Sequence, residues 1–170
     1  MIRIILFSIG VFAIALTSWA ADYDGSKDHP VISRYPGSEI KWYDVQAFVP
    51  YAVATGPVTG YQKIDQWDEI KGRTTRIYYE LDGIKTHTEV FLNYKKALEE
   101  AGFENLAEGL FSQSSRAGDV GSRKWLGVHY KRNELPAVGI RLLQGSSTSG
   151  GTAYLAMKKE RAAGTVYVII

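Results

Sequence analysis

The chain contains no cysteine. Disulfides, thiolate metal sites, a cysteine nucleophile and a lipidated N-terminal cysteine are therefore excluded. Charge of one sign is also scarce: 20 Lys and Arg stand against 18 Asp and Glu, with no long basic run. That balance argues against nucleic acid as a partner. The three histidines, His29, His87 and His129, show no paired-ligand spacing, so no metal site and no cofactor is expected. There is no G-x-S-x-G elbow. The stretch Gly145–Gly151, GSSTSGG, is followed by Thr152-Ala153, whereas a Walker-type phosphate loop needs a lysine and then Ser or Thr; it reads as a flexible linker.

What is present begins with a leader. Met1-Ile2-Arg3 carries a positive charge, an apolar run follows from Ile4 to Leu16, and small residues stand at Ser18 and Ala20. These match a secretory signal peptide over residues 1–20, with the small residues at the minus-three and minus-one positions. The run is shorter than the ~20 apolar residues that span a bilayer, and no second such run follows, so no transmembrane helix is expected after cleavage. Residues 21–170 then form a single domain, long enough for a real core. Its last residues, Thr165–Ile170 (TVYVII), stop without a polar ending. The expectation is either that partners bury this strand or that the natural polypeptide continues and this one is truncated.

The most legible element is Thr86–Phe103. Val90, Phe91, Tyr94, Leu98 and Ala101 fall at helical spacing and make one apolar stripe. Thr86 with Glu89 fits a capping box, and Gly102 fits a left-handed exit that lets Phe103 fold back on Leu98. Burying four of these side chains is worth about 1.5–3 kcal/mol each, so a helix over about 86–102 must pack on something, most simply a sheet. Pro36-Gly37 reads as the centre of a type II turn. Glu39–Val53 reads as strand, with Pro50 marking an edge or a break. Thr55–Asp68 reads as loop, and a clearer strand opens at Gly72-Arg73. Phe103–Phe111 is a further strand candidate, Ser112–Ser122 a loop, and Val138–Leu143 a short strand. Arg123–Asn133 fits a short helix and a strand equally. Alternation over Ala153–Lys158, a connection at Glu160–Gly164 and the run Thr165–Ile170 predict a hairpin. The order of elements gives an α+β class: an antiparallel β-sheet with one main α-helix packed on one face.

Three segments carry a resemblance. They are Gly25–Ser38 (GSKDHPVISRYPGS), Glu89–Leu98 (EVFLNYKKAL) with Ala101-Gly102-Phe103, and Tyr154-Leu155-Ala156 with Gly164–Val168 (GTVYV). Together they resemble a domain of unknown function in Gram-negative envelope proteins, often found between a signal peptide and an OmpA-like peptidoglycan-binding domain. Gln113–Gly151 departs from the pattern, and no OmpA-like domain follows Ile170. The resemblance implies a location in the periplasm or at the outer-membrane periphery. It also implies an accessory role among envelope proteins or peptidoglycan-associated partners, and it transfers no catalytic residue.

Candidate site residues are few. Asp28, His29 and Ser33 contain the residue types of a hydrolase triad, which is recognised by geometry rather than closeness in sequence; turn-forming hydrogen bonds are their commoner use. Arg34 beside Tyr35 offers a planar fork for an anion, or for a structural salt bridge. Tyr35, Trp42, Tyr43, Phe48, Tyr51, Tyr61 and Trp67 crowd the early part of the domain. Such residues suit interfaces and sugar faces as well as cores, and Trp42 with Tyr43 is the pair singled out for a glycan. Lys95 and Lys96, each four residues before Glu99 and Glu100, read as surface ion pairs, while Asp65, Asp68 and Glu69 are assigned to a loop. The expected function is a non-catalytic binding or accessory module of the cell envelope, with an envelope hydrolase or a glycan-binding protein as alternatives.

Overall fold

The computed structural model describes residues 21–81, 83–112, 118–133 and 150–170. The expected leader, the strand expected at Val138–Leu143 and most of the Gly145–Gly151 linker lie outside these residues. In chain order the elements are β1 (Glu39–Ala54), β2 (Val58–Gly60), β3 (Lys63–Ile64), β4 (Trp67–Glu80), α1 (His87–Glu100), β5 (Glu104–Phe111), α2 (Arg123–Arg132), β6 (Thr152–Lys159) and β7 (Val166–Ile169). All strand pairing among them is antiparallel, and the class is α+β.

The strands divide among three sheets. β1 and β4 form a long ribbon, from Glu39 opposite Glu80 to Ala54 opposite Trp67. Pro50 sits within it opposite Lys71, just past the register shift between Gln46 and Val49; a two-stranded ribbon leaves each strand an outer edge, where a missing N–H costs no ladder bond. The expected loop Thr55–Asp68 instead holds the small β2–β3 hairpin and the start of β4. Tertiary pairing explains the difference: Trp67–Ile70 are strand because Tyr51–Ala54 lie opposite them, not because of any alternation of their own. The third sheet has the order β5-β6-β7, and its β6–β7 half is the expected hairpin.

α1 is built as its sequence predicts at both ends, save for one arm of the capping box. Thr86 Oγ1 accepts from Glu89 N–H at 3.1 Å. The reciprocal arm of the capping box is not made, because the Glu89 carboxylate takes Lys85 (2.8 Å) and the Tyr35 hydroxyl (2.5 Å) instead. At the far end Gly102 adopts φ +77°; its N–H reaches Glu99 O at 2.9 Å and Phe103 N–H reaches Leu98 O at 3.0 Å. This is a Schellman motif. The Pro36-Gly37 turn is equally plain, closed by Ser38 N–H to Tyr35 O at 3.1 Å.

β6 is the middle strand of its sheet, and its two faces face different cores. Leu155 and Met157 join Phe91, Tyr94, Leu98, Phe103, Val168 and Tyr35 under α1. Tyr154 and Ala156 turn the other way, to Trp125 and Leu126 of α2 and to Val53, Ala54 and Ile64. A strand covered on both faces reads as a continuous apolar run, and TAYLAM does. The ambiguous segment Arg123–Asn133 is thus a helix on the face opposite α1, begun by Ser122, whose side chain accepts from Trp125 N–H at 3.3 Å.

Candidate functional site

The candidates near the N-terminus are committed to holding the fold. Arg34 Nε donates to both oxygens of Asp28 (2.8 and 2.9 Å), and its two terminal nitrogens donate to Asp22 (2.9 and 2.7 Å). The hydrogen bond from Arg34, then that from Ile40 N–H, holds the Asp22 carboxyl down at about 2. A fork filled by two carboxylates has little left for an added anion. Tyr35 is buried, its N–H donating to the Tyr94 hydroxyl at 2.9 Å and its own hydroxyl to Glu89. Asp28 also accepts from the Tyr79 hydroxyl at 2.9 Å, while His29 Nδ1 accepts from Val31 N–H at 3.3 Å. Burial lowers the His29 pKa, helped by the charges of Arg73 and Arg161. Asp28 and His29 therefore make the hydrogen bonds of a turn and a salt bridge, not those of a relay with the exposed Ser33.

Trp42 and Tyr43 are half-buried neighbours on β1. Adjacent strand residues project from opposite faces, so the two do not form one platform. Trp42 carries the Arg76 guanidinium 5.5 Å from its ring centre, and Arg76 is held by Asp44 at 2.6 Å. Asp68 and Glu69, assigned to a loop from sequence, are on β4. The ion pairs Lys95–Glu99 (3.9 Å) and Lys96–Glu100 (3.8 Å) are present.

A concave feature lies elsewhere among the described residues. A recess of about 350 Å³ opens between the β2–β3 hairpin, the start of β4 and the last turn of α2, lined by Gln62, Lys63, Ile64, Trp67, Val128, Lys131 and Arg132. The indole of Trp67 is fixed by its Nε1 donating to Ile64 O at 2.7 Å, and Arg132 lies over it, 4.5 Å from the ring centre. Two of the three cations have carboxylate partners: Lys63 with Asp65 at 2.7 Å, and Arg132 with Glu69. Lys131 instead donates to the neutral side-chain oxygen of Gln62 at 2.5 Å. Gln62 is the one non-glycine among the described residues with positive φ, +50°. It occupies a turn position that glycine or asparagine usually holds, and strain of this kind concentrates at functional sites.

Behind the recess stands a cage of rings around His129, which is fully buried. Trp67 and Trp125 lie parallel to its imidazole (centroids 5.8 and 5.0 Å), and Tyr51, Tyr130 and Tyr154 meet it edge-on. The Asn133 amide accepts from Ala52 N–H at 2.9 Å and donates to Ala52 O at 2.8 Å, tying the end of α2 to β1. Its nitrogen also lies 3.2 Å from His129 Nε2. His129 Nδ1 and the Tyr154 hydroxyl are buried without a hydrogen-bond partner among the described residues. Burial pushes the His129 pKa down to about 4, opposed in part by the Ala52 backbone, and drives the Tyr154 and Tyr51 hydroxyls up.

The recess was missed by sequence reasoning. Trp67 appeared there only as one of a crowd of aromatics, and nothing in the order of residues signals that Lys131-Arg132 will face the Tyr61-Gln62 turn. Among the described residues no group of three His, Asp or Glu is placed to hold a metal, and no described helix is long and apolar enough to cross a membrane. In comparisons with known proteins, no family model matches the chain and no curated protein matches it.

Proposed function

We propose that the protein is an exported, non-catalytic binding or accessory module of the Gram-negative cell envelope, acting in the periplasm or at the outer-membrane periphery with envelope proteins or peptidoglycan-associated molecules. The leader pattern of residues 1–20 and the resemblance over most of Gly25–Val168 support the location. The observation that carries the binding role is the split between two groups of polar residues. Those a hydrolase would use, Asp28 and His29, are engaged in local bonds, while the concave recess beside Trp67 is lined by cations, an amide and apolar walls, with no carboxylate, histidine or hydroxyl among its lining.

The full-length chain carrying a C-terminal tag tests the location. Material recovered from the envelope or periplasmic fraction should begin at Ala21. Material in the cytosol with Met1 attached would count against it. His29→Ala should leave fold and partners unchanged; loss of a hydrolytic activity with the fold intact would favour the enzyme reading.

A further inference from the structure

We draw no further inference here: the strongest candidate, the surface patch made by the exposed apolar side chains of Val45 and Phe48 midway along the β1–β4 ribbon, carries nothing because nothing in the structure shows what covers it.

Discussion

The two faces of the β5-β6-β7 sheet are covered by one helix each, and they are built differently. Under α1 the packing is aliphatic and aromatic, and the tyrosine tips have partners: Tyr94 accepts from Tyr35 N–H, and Tyr35 donates to Glu89. Under α2 the packing encloses a histidine, with His129 Nδ1 and the Tyr154 hydroxyl left without partners among the described residues. A buried polar group without a hydrogen bond destabilises by about 1–3 kcal/mol. On one face the buried tyrosine hydroxyls are satisfied. The other tolerates unpaired polar atoms directly behind the recess that we assign to binding, which is where local rules of good packing are most often broken.

Both faces are needed for folding, and the largest effects should come from their centres. Trp125→Ala removes a fully buried indole and should destabilise by about 3–5 kcal/mol; Leu98→Ala on the other face should do so by about 2–5 kcal/mol. Urea unfolding of each variant checks this. A mild Trp125→Ala phenotype would show that the α2 face is a loosely attached flank rather than a second core.

Acid separates the faces next. His129 is held at about 4 in the folded chain, against about 6.5 when unfolded. Between those values the unfolded chain takes up a proton that the folded one refuses, so stability falls as pH drops below about 6.5 and the loss is complete below about 4. A fall from about 6.5 to about 4 corresponds to about 3 kcal/mol. The physical cause is local: the imidazole is enclosed by rings beside the Asn133 side chain that ties α2 to Ala52, and its charged form there is desolvated. Asp22, held at about 2, loses its contribution only at lower pH, as it is protonated, so the two windows do not overlap. Urea midpoints at pH 7 and pH 4.5 should differ markedly for the natural chain and less for His129→Leu, the remainder coming from His29, whose pKa is also lowered by burial, whatever the substitution does to stability at pH 7.

The same contrast explains what could be read in advance. α1, its Gly102 exit, the Pro36-Gly37 turn and the β6–β7 hairpin are local patterns, each set by residues a few positions apart, and all are present. α2 was not legible because its buried residues are Trp125, Leu126 and His129; a histidine counts as polar in any periodicity, and Gly127 weakens the helical preference further. The reciprocal arm of the Thr86–Glu89 box failed because Tyr35, 54 positions earlier, reaches the same carboxylate. Arg34 was read as a fork for an anion or for a structural salt bridge, and that Asp22 and Asp28 would fill it from both sides depends on how residues 21–38 wrap. The recess joins two turns nearly 70 positions apart, Lys131 meeting Gln62, and no local pattern encodes that meeting.

The most direct measurement is the unfolding free energy of two variants carrying the same change on opposite faces, Tyr94→Phe and Tyr154→Phe. Removing the Tyr94 hydroxyl strands the buried Tyr35 N–H and should cost about 1–3 kcal/mol, whereas removing the Tyr154 hydroxyl, which has no partner among the described residues, should be neutral or stabilising by about 1 kcal/mol. Equal destabilisation by both would contradict the distinction between a satisfied core and an unsatisfied one.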